Sequence, residues 1–445
     1  MNYSFLHRIA ILIFIHFLFI NFLHSQEVEI RFNHLSINDG LSQSTIYSIV
    51  QDDDGFIWIG TQDGLNKYDG YNVNQYKHQI KNNKSLSNSY INNICKGDNG
   101  SLWIGTLSGL NHYNRATKEF THVKLNGGLD KINVVKIVRD SRERLWIGTN
   151  RFGLICYNPK DSTHQIFNTS NGLPSNKISD LLINNNSLII ATSNTGISEL
   201  NFIDNNIELK SAWNENLNDL GINCLVRKNL NSFYIGTNRG VNLVENKKIS
   251  NLSSKLNEYQ IISIFDDSTS DLWLGTYNSG LINCELKRNE FDVILHENSD
   301  YNLKSISNNL IHDIFKDATG TLWIGTQDGL SFFDPLKQSF ANYSALLTSE
   351  KSLIDKNAWG VFEQGDSVIW IGNRKGITRI DKQTGSYFNY PYYSENLNNP
   401  NGHDVYDVTI DNKNRIWAAT TGGLYQVLPY NNFQSAKFKK VRFRA

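Results

Sequence analysis

The sequence has no excess of either charge: 43 lysines and arginines stand against 43 aspartates and glutamates. That balance argues against a nucleic-acid-binding surface and against a polybasic membrane patch. Cysteine is scarce, with four in 445 residues, and none falls in a C-x-x-C or zinc-type spacing. No metal and no cofactor is expected. Helical periodicity is missing too: no stretch of about ten residues places apolar side chains three and four apart. Beyond residue 25 no long apolar run follows, and no Pro-, Gly- or Ser-rich linker marks a boundary.

What is present begins with an apolar leader. Arg8 precedes a run from Ile9 to Leu23, interrupted by His16 and Asn21, and small Ser25 comes before Gln26-Glu27. Residues 1–25 read as a secretory signal peptide cut near Ser25–Gln26, which places the remainder in the periplasm. An uncleaved anchor is the alternative, although the run is short for a span of about 20 residues.

The rest of the chain is a repeat. Leu102-Trp103-Ile104-Gly105-Thr106, followed by Gly109-Leu110, returns with its head at residues 58, 103, 146, 189, 234, 273, 323, 370 and 417. Trp58, Trp103, Trp146, Trp273, Trp323, Trp370 and Trp417 head seven copies; Ile189 and Tyr234 head two degenerate ones. Spacings of 39 to 50 residues indicate a propeller, a solenoid or an array. An apolar pair stands upstream of each head, such as Ile46/Ile49, Ile91/Ile94 or Ile311/Ile314. Short β-rich runs with Gly, Asn or Asp between them predict strands A, B and C, and a fourth run such as Phe120–Val123 or Phe340–Tyr343 supplies strand D.

Four strands per repeat with an indole in strand B describe a propeller blade. The fold expected is all-β: a β-propeller of four-stranded antiparallel blades. The indole would fill the space between neighbouring sheets, the glycine of strand B would allow close approach, and the aspartate of each A–B hairpin would bind local backbone. Residues 28–36 resemble a D strand that precedes any A, B or C, as when a terminal strand completes a blade built from the other end. Nine blades exceed the usual four to eight of one ring. The expectation is therefore a seven-bladed ring over residues 27–345 and two blades of a second, incomplete propeller over 346–445, the division falling in Leu346–Asn357. The cysteines fall in four different blades, Cys95 and Cys224 in strand A, Cys156 and Cys284 in strand C, and read as buried free thiols.

The opening Asp39-Gly40-Leu41-Ser42-Gln43-Ser44, then Gln51-Asp52 and Gly55 through Gly70 around Trp58-Ile59-Gly60-Thr61, resembles the two-component regulator propeller family. The resemblance implies the periplasmic sensor part of a bacterial hybrid two-component receptor. It further implies paired seven-bladed propellers followed by an immunoglobulin-like domain, a membrane span, a histidine kinase and a receiver. Such receptors typically recognise breakdown products of complex glycans. This chain shows no downstream span, kinase motif or receiver, so only the sensing half is assigned to it, and the chain reads as the front portion of a longer protein or a truncated product. A membrane kinase or a second copy is the implied protein partner, and no nucleic acid is expected.

Candidate ligand contacts lie on the face of the B–C loops and the D-to-A connections. Arg151, Arg239 and the Arg374-Lys375 pair each follow an Asn in a B–C loop and would suit an anionic sugar, or else cover a solvated turn. Tyr90, Trp359 and Tyr406 at the start of strand A would stack on sugar rings or pack between blades. Asp180, Asp313 and Asp407, with His312 and His403 nearby, would line the axial channel. Propeller lyases and glycosidases use acids and His in that region, but the equivalent positions Ser48, Asn93, Lys136, Cys224, Ser263 and Gly360 read as hydrogen-bonded lining. Asp52-Asp53-Asp54 lacks the ligand spacing of an EF-hand and reads as a turn. The reading is a non-enzymatic sensor for a glycan-derived ligand, with an exported lyase or glycosidase, or a protein-binding scaffold, as rivals.

Overall fold

The computed structural model describes residues 30–442, apart from 126–128, 204–205, 211–213, 268–270, 288–289, 300–301, 303, 335–351, 366, 383, 393–403 and 431–432. The leader at 1–25, the D strand expected at Phe340–Tyr343, and His403 lie outside the described residues. The chain forms two compact units, one over Ile30–Gln338 and one within Ser339–Ala445.

Every described sheet has four antiparallel strands. In blade 2 they are A (Ile91–Lys96), B (Leu102–Thr106), C (Gly109–Asn114) and D (Glu119–His122). Strand B is buried on both faces because a blade on each side covers it, which is why Leu-Trp-Ile carries no polar alternation. The threonine ending strand B closes the B–C turn: Thr61, Thr106 and Thr326 each donate a hydroxyl hydrogen bond to the carbonyl of the glycine that opens strand C, at 2.9, 2.9 and 2.8 Å.

The first unit is a closed ring of seven blades. Asn33–Leu35 pairs with Leu330–Phe332 and supplies strand D of the seventh blade, whose A, B and C strands are Ile311–Lys316, Leu322–Thr326 and Gly329–Phe333. Strand edges at the two chain ends thereby cancel each other. Indoles bridge the blades. Trp58 clusters with Ile91, Ile94 and Leu102 of blade 2, and Trp323 with Ile46, Ile49 and Ile57 across the closing seam. The strand-B glycines permit this spacing: a Cβ on Gly60 would lie 2.6 Å from Ile91 Cγ2, and one on Gly325 2.8 Å from Ile46 Cγ2.

The A–B hairpins tie strand B in place. Asp52 accepts from the amides of Asp54 and Phe56 through Oδ1, both at 3.0 Å, and from Trp58 Nε1 through Oδ2 at 2.8 Å. Asp140–Trp146 and Asp317–Trp323 repeat the indole bond at 2.9 and 2.8 Å. Asp53 pairs with Lys96 and Asp54 with Arg115, so the three acids point to three separate partners. All four cysteines are free.

The second unit holds two blades of the same kind, with strands Ala358–Gln364, Val368–Asn373, Gly376–Asp381 and Ser386–Pro391, then Val405–Ile410, Ile416–Thr420, Gly423–Tyr430 and Ser435–Lys440. Trp370 is fully buried between them, in one cluster with Val405, Val408 and Tyr425.

Candidate functional site

Strand A is the innermost strand of each blade, and it carries the same irregularity in all nine. Its register against strand B shifts between the first apolar residue and the position two later, as at Ile46/Ser48, Asp313 after Ile311, or Val405/Asp407. This is a β-bulge, one extra residue opposite one partner, and it redirects two side chains per blade.

The side chain after the bulge turns sideways and stitches the ring together. A strand with a partner on one edge only leaves N–H groups facing the axis, and each needs an acceptor. Ser48 Oγ accepts from Ile94 N at 3.1 Å, Asn93 Oδ1 from Ile137 N at 2.9 Å, Asp180 Oδ2 from Leu225 N at 2.7 Å, and Asp313 Oδ2 from Ile49 N at 2.7 Å. Lys136 Nζ reaches Asp180 Oδ1 at 3.0 Å. Burial works against the Lys136 charge, but Asp180 outweighs it and holds the ammonium above its ordinary range. Asp180 and Asp313 each spend a second oxygen on their own neighbour's amide, Leu181 and Ile314. Both carboxylates are thus committed to the frame of the ring.

Burial pushes the Asp313 carboxyl up to about 6, against the pull of the Ile49 amide and Lys136. The sign of the linkage follows. Between its ordinary value near 3.8 and about 6, the folded chain keeps a proton that the unfolded chain has released. Stability contributed by this group is therefore full below pH ~4, falls as pH rises to ~6, and is flat above, with a ceiling of about 3 kcal/mol. Denaturation midpoints across this window should show the fall, and Asp313→Asn should flatten it; an unchanged slope in the variant would remove Asp313 as its source.

The bulge residue itself faces the end of the ring that carries the B–C loops. In blade 1 it is Tyr47 and in blade 7 His312. Tyr90 precedes strand A of blade 2, and the three rings meet. Tyr90 Oη donates to Tyr47 Oη at 2.6 Å with the rings stacked 5.1 Å apart, and Tyr47 lies 4.7 Å from the His312 ring. His312 Nε2 is 3.0 Å from Gln327 Oε1 in the blade 7 B–C loop. Burial holds the imidazole below its ordinary range, hence neutral near pH 7, and holds the Tyr90 phenol well above its own. Gln43 and Gln62 bond side chain to side chain at 3.4 Å, and Asn92 Nδ2 donates to Asn133 Oδ1 at 2.8 Å. This end of the ring thus presents rings and amides, a surface of hydrogen-bond donors and acceptors beside apolar faces.

Two blades of the second unit repeat the pattern. Trp359 and Tyr406 occupy the same bulge position, 54% and 48% exposed, their rings edge-on at 6.2 Å. Trp359 and Tyr406 thus lie inside strand A on its bulge, each about half exposed, with their rings in contact across neighbouring blades. Asp407 bonds the amide of Val408 at 2.9 Å.

Of the other candidate residues, Arg151 and Arg239 are exposed in the B–C loops of blades 3 and 5. Arg374 is exposed in the second unit, and Lys375 beside it pairs with Asp355 at 3.3 Å. Tyr90 and His312 are brought together; Tyr47, which joins them, was missed although it is the residue between Ile46 and Ser48 in the repeat.

Comparisons with known proteins follow the geometry. The family model described as two component regulator propeller matches residues 40–63, 85–108 and 305–328, in blades 1, 2 and 7. A histidine kinase P4 of Formosa agariphila is 43% identical over 56 residues, 13% of this chain and 4% of that protein. The extracellular domain of a putative hybrid two component system from B. thetaiotaomicron superposes with a TM-score of 0.70 at 25% identity, covering 94% of this chain and 55% of that one. The extracellular domain of a putative one component system from the same organism gives 0.58 at 22%, covering 92% and 53%. Virginiamycin B lyase from Staphylococcus aureus gives 0.53 at 12% identity, over 68% of this chain and 99% of that one, a likeness of fold alone. The chain spans about half the length of the first two of these solved domains.

Proposed function

Because this chain belongs to the two component regulator propeller family, we propose that it is the periplasmic ligand-sensing module of a two-component receptor, and that its ligand is a glycan fragment. The observation that carries the reading is the shared bulge position, which places Tyr47 and His312 at one end of the ring and Trp359 and Tyr406 in the second unit. A sugar ring has an apolar C–H face and a polar hydroxyl edge. Aromatic faces suit the first, while the amides of Gln43, Gln327 and Asn92 suit the second. Exposed Arg151, Arg239, Arg374 and Lys375 favour acidic or sulfated sugars within that class. A membrane kinase or a second copy of the chain is the partner through which binding would be read out.

The enzyme reading needs a free acid or base. Asp313, the strongest candidate for one, has both oxygens occupied by backbone amides. Calorimetry of the full chain against a panel of neutral, uronic and sulfated oligosaccharides separates the readings. Saturable binding without product release is expected, weakened about tenfold, ~1.4 kcal/mol, by Tyr47→Ala or Trp359→Ala. Turnover abolished by His312→Ala would replace the sensor with an enzyme, and silence across the panel would leave a scaffold.

A further inference from the structure

Blades 4 and 5 depart from the repeat together, and a cleft lies between their shortened hairpins. In blades 1, 3 and 7 the strand-B indole bonds a hairpin aspartate and fills the space towards the next blade. Blade 4 has neither partner. Ile189 stands in the indole position, and the A–B hairpin shrinks to a two-residue turn, Asn185-Asn186, between Asn184 and Ser187. Blade 5 shortens its own hairpin in the same way, to Leu230-Asn231 between Asn229 and Ser232.

Between the two shortened hairpins lies a cleft of about 410 Å³, within the range of roughly 300–1,000 Å³ of small-molecule sites. A–B and C–D hairpins line it, so it opens on the end of the ring opposite the B–C loops. Phe233 and Val244 form an apolar floor, and the amides of Asn184, Asn201, Asn231 and Asn246 stand around it. Glu199, opposite Ile189 in the ladder, enters from the wall with a side chain only 7% exposed and takes Lys247 Nζ at 2.9 Å. The walls are fixed: Asn185 Nδ2 donates to Leu230 O at 2.8 Å and Asn246 N to Asn231 O at 3.2 Å. Asn184 Oδ1 is buried and, among the described residues, meets no donor.

This chemistry selects a ligand. Glu199 and Lys247 neutralise each other, so the site asks for no net charge. Each carboxamide offers a donor and an acceptor side by side, the pattern that adjacent hydroxyls complement. We propose that the cleft between blades 4 and 5 binds a neutral, hydroxyl-rich small molecule of monosaccharide to disaccharide size, its hydroxyls held by Glu199, Asn201 and Asn246. The site is separate from the ring surface around Tyr47 and stands without it.

The test uses the full chain, thermal unfolding and calorimetry, with glucose, galactose, mannose, xylose and their β-1,4 disaccharides as probes, and glucuronate and glucosamine as charged counterparts. At least one neutral sugar should bind saturably and raise the midpoint with its concentration, ahead of its charged counterpart. Asn186→Trp, which sets an indole among the lining residues from an exposed turn position, should abolish the response while leaving the sugar-free midpoint close to that of the parent chain. Asn201→Ala and Glu199→Gln should each weaken binding about tenfold and serve as the check if the tryptophan variant does not fold. Silence from every neutral sugar, or a response that survives Asn186→Trp and Asn201→Ala, overturns the proposal. A response lost in Tyr47→Ala but intact in the cleft variants would assign the sugar to the other site and also overturn this one.

Discussion

Replacing Trp323 by alanine is expected to cost about 3–5 kcal/mol, the range for a buried large aromatic whose space cannot collapse. The indole is 5% exposed, stacks on Phe332 at 4.6 Å, meets Tyr68 edge-on at 6.1 Å, and donates to Asp317 Oδ2 at 2.8 Å. Its neighbours Ile46, Ile49 and Ile57 come from blade 1, and Leu35 from the early strand that completes blade 7. The substitution therefore weakens the seam that joins the last blade to the first, where loop-closure entropy opposes contact most strongly. Asp317 keeps the amides of Thr319 and Thr321, so the loss is one of packing rather than an orphaned charge. Trp323→Phe should recover part of it. Urea unfolding of the full chain measures the difference, and a change within about 0.5 kcal/mol would remove the indole from any part in closing the ring.

The fold was legible because a blade cannot bury its own strand B. Leu-Trp-Ile followed by Gly-Thr makes sense only between two covering sheets, and the nine copies with constant inner spacing say so without coordinates. The early strand was legible too, since an extended segment ahead of the first strand A had to find a partner, and Asn33–Leu35 finds Leu330–Phe332. The bulge was not drawn from the sequence, although its signal was there. Ile46 and Ile49 are both buried in one strand, yet residues three apart on a regular strand face opposite ways. Only an extra residue reconciles the two, and that residue is Tyr47, as it is His312 between Ile311 and Ile314. The acids of strand A were read as channel lining, but their partners were not foreseeable, because the amides that bond Asp180 and Asp313 belong to the neighbouring blade, Leu225 forty-five residues on and Ile49 across the closing seam. The cleft had half a signal. Loss of the tryptophan at Ile189 was visible as a degenerate copy, but neighbours close around Ile189, and the cleft lies beyond them at the shortened hairpins, a placement that only the packed structure supplies.

The other large effect concerns Asp180, and magnitudes decide where its cost comes from. Its carboxylate is 3% exposed and serves three groups: Lys136 Nζ at 3.0 Å, Leu181 N at 2.8 Å and Leu225 N at 2.7 Å. The Lys136 side chain is 34% exposed to the channel, so the ion pair itself contributes at most about 1 kcal/mol. Each buried amide stripped of its acceptor costs about 1–3 kcal/mol. Asp180→Ala should then destabilise by about 3–4 kcal/mol, most of it from the two amides. Asp180→Asn, which retains one acceptor oxygen, should cost about half as much. Lys136→Met should change stability by less than about 1 kcal/mol, and a double-mutant cycle between the two positions should return a coupling of that same small size. If Lys136→Met instead proved as damaging as Asp180→Ala, charge pairing rather than amide capping would be the bond between blades 3, 4 and 5. The contribution of Ser48, Asn93 and Asp313 at the same place in other blades would then need a separate cause, since none of them faces a cation at hydrogen-bond distance among the described residues.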